Sequence, residues 1–516
     1  MNHSPRASIA LIGIVLFAFA AGCGGGEKPA PKILIVGLDG ATFDLMTPWM
    51  EQGYLPRMKA LRDGGTWGTL QSVIPPLSPP AWTTAFTGVN PGQHGIYDFF
   101  RLDPDSMIAL SETAAGRRVP ALWTLLSDEG RKVGIVNIPM TDPPDPVNGF
   151  LIAGLPHPDT TGYAYPPELE ADLHRRGYRL DRMGEALIEG QEGALEEEIL
   201  DTFRRRRDTA LALGAEHPDL DLTWVVFTGT DRMQHFFWKF MEKDHPFYDA
   251  ALAPRFGDSI LNLYRELDAA VGALVDQAQA QADNEGRELA VIVLSDHGFC
   301  GVHRAFRPQS FLRHPTDGKA PITSAYSLET NATLLYVPVQ GRERNATLTQ
   351  AEHDGVVDDI LARVLAARDP EGGASPVLFG ARREDVYRGR YADKAPDLVF
   401  LARPPYYLIN EEGDKDPFGT PAFSFSAHHE IHGILIASGP MFGKGHLEGR
   451  QGLIDISPTL MYLAGLAVPG YMEGDVLTPL FTPEYAKAHP VAREAGEARE
   501  TGDEDRERIK AVPYVQ

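Results

Sequence analysis

The pattern of apolar and polar positions separates two kinds of segment. The first kind is short and almost unbroken: "KILIVGLDG" (32–40), "VGIVNIP" (133–139), "DLTWVVFTGTD" (221–231), "ELAVIVLSDHG" (288–298) and "GILIASGP" (433–440). Apolar runs bounded by turn residues predict strands buried on both faces. The second kind carries a helical period. It includes "PALWTLLSDEG" (120–130), "EGALEEEILDTFRRRRDTALALGAEH" (192–217), "DSILNLYRELDAAVGALVDQAQAQ" (258–281) and "HDGVVDDILARVLAAR" (353–368). The 192–217 segment is acidic early and basic later, as a helix dipole favours. Buried strands alternating with amphipathic helices predict an α/β fold, with a mostly parallel sheet covered by helices on both faces.

Two stretches break the alternation. Residues 140–200 or so are rich in Pro, Gly, His and Tyr, as in "PMTDPPDPVNGF" and "GLPHPDTTGYAYPPEL". They predict an insertion or lid. A second insertion is expected at about 370–428, with strand-like "DLVFLA" inside it. The catalytic domain is expected to run from 32 to 485. Residues 486–516 form a highly charged segment that predicts a disordered tail or loose helix. No internal repeat is visible.

Composition narrows the class. The 516 residues are 43% hydrophobic and 23% charged, which suits a globular protein with a large core. The formal net charge of -23 argues against binding nucleic-acid polymers, which requires a basic face. It does not exclude a small anionic substrate, because bound cations invert the local field.

The N-terminus reads as a targeting segment. "ASIALIGIVLFAFAA" (7–21) is too short and too early for a comfortable transmembrane span. It leads to "AAGC" (20–23), which resembles a bacterial lipobox with Ala in place of the more usual Leu. That resemblance implies a signal peptide at 1–22, a lipid on Cys23, a flexible tether at 23–31, and an exported protein anchored to a membrane surface. An ordinary secretory signal or an uncleaved anchor are the alternatives. The other cysteine is Cys300, and no disulfide is expected if Cys23 is lipidated.

The strand ends carry the candidate chemistry. Asp39 follows the first run. Asp231 follows the third, with His235 four residues on. Asp296 and His297 follow the fourth, and His428 and His429 precede the last. Sites in open α/β sheets form at the carboxyl ends of strands. Carboxylates and imidazoles there are costly unless a cation meets them, and Asp with His suits zinc or a similar divalent metal. A single Asp after a strand is more often a turn or cap residue; four such elements at four strand ends are much harder to dismiss. One further stretch, "PPLSPPAWTTAFTG" (75–88), sets Ser78 before a short helical run, as an N-cap or as a nucleophile.

Together, "GLDG" (37–40), "SPPAWTTAFTGVNPGQHGIYDF" (78–99), "GTDRMQH" (229–235), "LSDHG" (294–298), "HHEIHGILIASGPMF" (428–442) and "DISPTLMYLAGLAVPGYMEGDVL" (455–477) resemble the alkaline phosphatase superfamily. The nearest branch is that of type I phosphodiesterases, nucleotide pyrophosphatases and bacterial predicted phosphohydrolases or phosphomutases. The resemblance implies a phosphohydrolase, a phosphodiesterase first, that works through a phospho-Ser78 intermediate with two divalent metals. Zinc is the first expectation for the metals and manganese the second. It implies that Asp39, Asp296, His297 and Ser78 hold one metal and that Asp231, His235 and His429 hold the other. His428 is the alternative to His429. His94 belongs to the pattern as a structural residue. Ala81, His303 and Arg304 are candidates for substrate contact, and the expected partner is a small phosphate ester.

Two departures refine this. Nucleotide pyrophosphatases usually carry a threonine nucleophile and an asparagine three residues later, where this chain has Ser78 and Ala81. That puts nucleotide specificity in doubt. Sulfatases of the superfamily need an arginine where Trp82 stands, so a sulfatase is not expected. A phosphotransferase or phosphomutase on the same site, or a non-catalytic envelope-binding lipoprotein, are the rival functions.

Overall fold

The apolar runs become strands Lys32–Leu38, Val133–Ile138, Leu222–Phe227, Leu289–Leu294 and His432–Ser438 of one ten-stranded sheet. The computed structural model describes residues 29–495, apart from 104, 158–159, 183–187, 316–317, 329–332, 411–415 and 421–424. The expected signal peptide, Cys23, most of the tether and the tail beyond 495 lie outside the described residues. Among the described residues no helix is long and apolar enough to cross a membrane.

Lys32–Leu38 lies at the centre, parallel to Leu289–Leu294 on one side and to Leu222–Phe227 on the other. Val133–Ile138 continues the parallel run beyond Leu222–Phe227. All seven residues of Lys32–Leu38 are buried, so both faces are covered and no polar alternation can appear. His432–Ser438 departs from the parallel expectation. It runs antiparallel to Leu289–Leu294 and to Thr66–Gln71. Its apolar run is the same in either direction, so the pattern carries no information on sense.

The stretch around 140–200 is woven into the sheet edge. Gly149–Ala153 pairs parallel with Val133–Ile138, and Ala164–Tyr165 pairs antiparallel with Gly149–Ala153. The flanking prolines mask this short apolar strand in the sequence. The second expected insertion is broader than 370–428. Leu334–Leu335, Val377–Arg382 and Leu398–Ala402 form an antiparallel three-stranded sheet. Helix Gln350–Ala366, which opens on a Thr349–Glu352 capping box, packs on it rather than on the main sheet. Ile360, Val364, Leu398 and Phe400 belong to the separate core of this smaller unit.

The charged tail is docked at its start. Tyr462 Oη donates to His489 O at 2.7 Å, and Arg493 Nη1 donates to Met472 O at 3.1 Å.

Candidate metal centre and nucleophile

Three carboxylates arrive from three adjacent parallel strands. Asp39 directly follows Lys32–Leu38. Asp296 lies two residues beyond Leu289–Leu294. Asp231 sits in the first turn of helix Gly229–Met241, just past Leu222–Phe227, and His235 stands one turn on, on the same helix face. His429 comes from the short strand Ala427–Glu430, which pairs antiparallel with Gly298–Gly301 beyond His297. The first turn after Lys32–Leu38 needs a glycine: Gly40 has a φ of +68°, and its N–H donates to Asp296 Oδ1 at 3.2 Å.

Ser78 is the first residue of helix Ser78–Thr87, and Leu77 is the N-cap, its carbonyl accepting from Ala81 N at 3.0 Å. Ser78 is therefore not the cap suggested by the sequence. Its hydroxyl faces the carboxylates instead. Oγ lies 3.5 Å from Asp39 Oδ1 and 3.3 Å from His297 Nε2. The helix start offers few free amides, because Pro79 and Pro80 have no N–H and the Ala81 N–H is taken. Ala81 is buried and contributes only a methyl group.

The imidazoles share one arrangement. His235 Nδ1 is 2.8 Å from Ala427 O, His429 Nδ1 is 2.9 Å from Pro76 O, and His297 Nδ1 is 3.0 Å from Gly298 O. A carbonyl only accepts, so Nδ1 carries the proton in each ring and Nε2 of the neutral ring is a lone pair. Those lone pairs converge. His235 Nε2 and His429 Nε2 are 3.1 Å apart. Asp231 Oδ1 is 3.1 Å from His429 Nε2 and 3.4 Å from His235 Nε2. His297 Nε2 is 3.2 Å from Asp296 Oδ2 and 3.6 Å from Asp39 Oδ1. Asp231 Oδ1 and Asp296 Oδ2 are buried without a hydrogen bond. Acceptors facing acceptors in a dry site repel unless protons or cations lie between them. The donor set of imidazole nitrogen and carboxylate oxygen, with each ring oriented by a carbonyl, fits a divalent transition metal. Asp39, Asp296 and His297 form one compact set, and Asp231, His297 and His429 another. His297 therefore stands between the two corners.

The electrostatics differ between the corners. Burial, reinforced by Asp296 and Asp231, holds the Asp39 carboxyl well above the usual range. Burial, with Asp231 adding to it, pushes Asp296 up to about 8. Burial also raises Asp231, but His235 and His429 outweigh it and keep Asp231 well below the usual range. Burial pushes the His297 and His429 imidazoles down, away from protonation.

Other expected residues separate clearly. His428 turns away from Asp231: its Nδ1 accepts the His429 N–H at 2.6 Å and its ring lies 4.2 Å from that of Tyr407. His94 is fully buried, with Nε2 3.0 Å from Thr84 Oγ1 and Nδ1 accepting from Ile96 N, and burial pushes it down to about 3. Its role is structural. His303 and Arg304 are not held at the centre for substrate contact. His303 Nε2 pairs with Glu242 Oε1 at 3.0 Å, and Arg304 makes a two-pronged pair with Asp369 at 2.8 and 2.9 Å. Arg304 is drawn off because its guanidinium fork matches that carboxylate.

In the sequence Trp82 marks only the place of a missing arginine, and the structure gives it a positive role. Its indole Nε1 donates to Asp39 Oδ2 at 3.1 Å, leaving Oδ1 to face Ser78. Gly37 makes room for it, since a Cβ there would lie 2.5 Å from the Trp82 ring.

A family model described as type I phosphodiesterase / nucleotide pyrophosphatase matches residues 33–434. No curated protein matches the chain. Among solved structures, murine ectonucleotide pyrophosphatase / phosphodiesterase 5 superposes with a TM-score of 0.54 at 15% identity, covering 87% of this chain and 100% of that one. The human protein of the same name gives 0.53 at 14% identity, with the same coverage. An inactive variant of the murine protein in complex with AMP gives 0.55 at 16% identity, covering 88% and 100%. At these identities the structural matches establish a shared alkaline-phosphatase-like α/β fold.

Proposed function

The chain belongs to the type I phosphodiesterase / nucleotide pyrophosphatase family, a family of phosphoric ester hydrolases, and from that premise we propose that it is a metal-dependent phosphodiesterase with Ser78 as nucleophile. Asp39, Asp296, His297 and Ser78 Oγ would hold one divalent cation, and Asp231, His235 and His429 the other. When bound, such cations, zinc first and manganese second, supply the positive charge that acidifies the serine hydroxyl and stabilises the leaving oxygen.

The chain's own residues do the rest. Trp82 fixes Asp39 with one oxygen toward Ser78. Pro76 O, Ala427 O and Gly298 O fix the three rings in the tautomer that presents Nε2. Ser78 Oγ forms the new bond to phosphorus as the bond to the departing alcohol oxygen breaks, leaving the remaining phosphoryl ester on serine. Water then breaks the Oγ–P bond and restores the hydroxyl.

The observation that carries the proposal is the convergence of Ser78 Oγ, three carboxylates and three Nδ1-protonated imidazoles at one point. The test is turnover of bis(4-nitrophenyl) phosphate against 4-nitrophenyl phosphate by zinc-loaded protein. The diester is expected to be the better substrate and a chelator to abolish its hydrolysis. Faster hydrolysis of the monoester, or chelator-resistant activity, contradicts the proposal.

The proposal extends to location: a lipid on Cys23 would hold the enzyme on a membrane surface after export. Cys23→Ser is then expected to move the protein from the membrane pellet to the soluble fraction. A variant that stays in the pellet argues against the anchor.

A further inference from the structure

The turn that carries Asp39 is held by three side chains. Thr230 Oγ1 donates to Asp39 O. Gln234 Nε2 donates to Gly40 O at 2.8 Å. Ser295 Oγ donates to Ala41 O at 2.9 Å. Each donor directly precedes a residue of the proposed metal sets: Thr230 precedes Asp231, Gln234 precedes His235, and Ser295 precedes Asp296. Three consecutive carbonyls are therefore tied to the two segments, beyond Leu222–Phe227 and Leu289–Leu294, that supply the neighbouring ligands.

Helix geometry makes this possible. Asp231 and His235 stand one turn apart on helix Gly229–Met241. Thr230 and Gln234, each one residue earlier, form a second row rotated from the first by about 100°. The helix thus presents the ligands of one corner on one row, and on the next row the donors that hold the turn of the other corner. Thr230, Gln234 and Ser295 are all buried, where a carbonyl left without a partner is costly. A carbonyl only accepts, so the nitrogen of the Gln234 amide must face Gly40. Tyr264 Oη donates to Gln234 Oε1 at 3.4 Å and favours the same orientation. Gly40 itself, at a φ of +68°, has no side chain with which to fix the turn.

We infer that Thr230 and Gln234 are positioning residues for Asp39: from the helix of the Asp231 corner they set the backbone of the Asp39 corner, and so fix the two proposed cation sites relative to each other. The inference rests on the metal-dependent reading above. It gives two residues beside Asp231 and His235 an effect on the opposite corner. Residues that only braced their own helix would have no such effect.

The experiment is zinc affinity of the full chain, measured by competition with a chromophoric chelator and without substrate. Gln234→Met keeps the length of the side chain and removes the donor. It is expected to weaken one of two bound zinc ions about tenfold, as for other groups that orient a ligand, and to leave the other nearly unchanged. Thr230→Val should act in the same direction, and Thr230→Ser, which keeps the hydroxyl, should restore the affinity. Two backgrounds assign the corner. The loss should appear in Asp231→Asn protein, where the Asp39 set is intact, and be nearly absent in Asp39→Asn protein, where the Asp231 set is intact. A role in stability alone would lower the unfolding midpoint and leave the zinc affinity of the folded chain unchanged. Unchanged affinity, equal weakening of both ions, or a loss confined to the Asp39→Asn background overturns the inference while the phosphodiesterase reading stands. If the unaltered chain binds no zinc, both fall. If the cross-corner loss is found while no phosphodiester is hydrolysed, the phosphodiesterase reading fails and the positioning role stands.

Discussion

Two corners of carboxylate and imidazole meet at His297, and they solve the problem of buried charge differently. The Asp39–Asp296–His297 corner is sealed and holds two carboxylates against one ring. The Asp231–His235–His429 corner holds one carboxylate against two rings, and its side chains are 18%, 12% and 8% exposed. In the first corner the carboxylates repel each other in a dry space, so they are pushed toward protonation. In the second the nearby His235 and His429 outweigh burial, and the carboxylate stays ionised. The sealed corner therefore depends more strongly on an added cation, and Ser78 Oγ lies within 3.3–3.5 Å of its His297 and Asp39.

The largest effect expected is that of Ser78→Ala, a loss of turnover on the order of 10⁴-fold with the metal content retained. Retained metal would show that the loss comes from the nucleophile and not from collapse of the sealed corner; elemental analysis alongside kinetics measures both. Next in size is a contrast between the corners. In metal-free protein, Asp296→Asn is expected to stabilise by roughly 2 kcal/mol, because the buried Asp296 carboxyl must take up a proton on folding and an amide need not. Asp231→Asn is expected to change stability by much less through this route, because Asp231 stays ionised and takes up no proton on folding. Urea unfolding of both variants, metal-free, decides the matter, and equal effects would erase the distinction between the corners.

The same contrast appears in pH dependence. Asp296 binds a proton in the native state up to about pH 8, while in the unfolded chain it ionises near pH 4. Over that interval the native state holds more protons, so stability falls as pH rises. His297 and His429, pushed down, contribute the opposite slope, but only below the unfolded histidine value near 6.5. Between pH 6.5 and 8 the metal-free protein should therefore lose roughly 2 kcal/mol for a fully titrating carboxyl, and the zinc-loaded protein much less. A rise in stability over that window in the metal-free protein would count against the raised carboxyls.

The smallest effect expected is that of Trp82→Phe. Removing the indole N–H from Asp39 should weaken metal binding about tenfold while leaving the fold intact, as for other groups that orient a ligand. Unchanged affinity would make Trp82 a packing residue only.

Much of this was legible in the sequence for a physical reason. Strands buried on both faces leave long apolar runs, and the polar residues where they stop are conspicuous; Asp39, Asp231 and Asp296 were found that way. His235 was found because a helix repeats its face every four residues. What remained hidden depends on backbone. Pro76 O, Ala427 O and Gly298 O orient the rings, yet any residue carries a carbonyl. Trp82 drew notice only as a departure from another motif, since its indole bond to Asp39 depends on the space left by Gly37. The antiparallel sense of His432–Ser438 and the pairing of Gly149–Ala153 likewise have no signature in composition or period. Which of His428 and His429 lies beside Asp231 depends on the alternation along a short strand paired with Gly298–Gly301, and His429 Nε2 is the one 3.1 Å from Asp231 Oδ1.

The central claim is that Ser78 becomes covalently bonded to phosphorus during turnover. It is tested most directly by mixing zinc-loaded protein with excess bis(4-nitrophenyl) phosphate, quenching in acid within one turnover, and mapping the peptides by mass spectrometry. The account predicts a 4-nitrophenyl phosphoryl group on the peptide containing Ser78, absent from Ser78→Ala and from metal-free protein. An unmodified Ser78 peptide, together with full activity in Ser78→Ala, would contradict it.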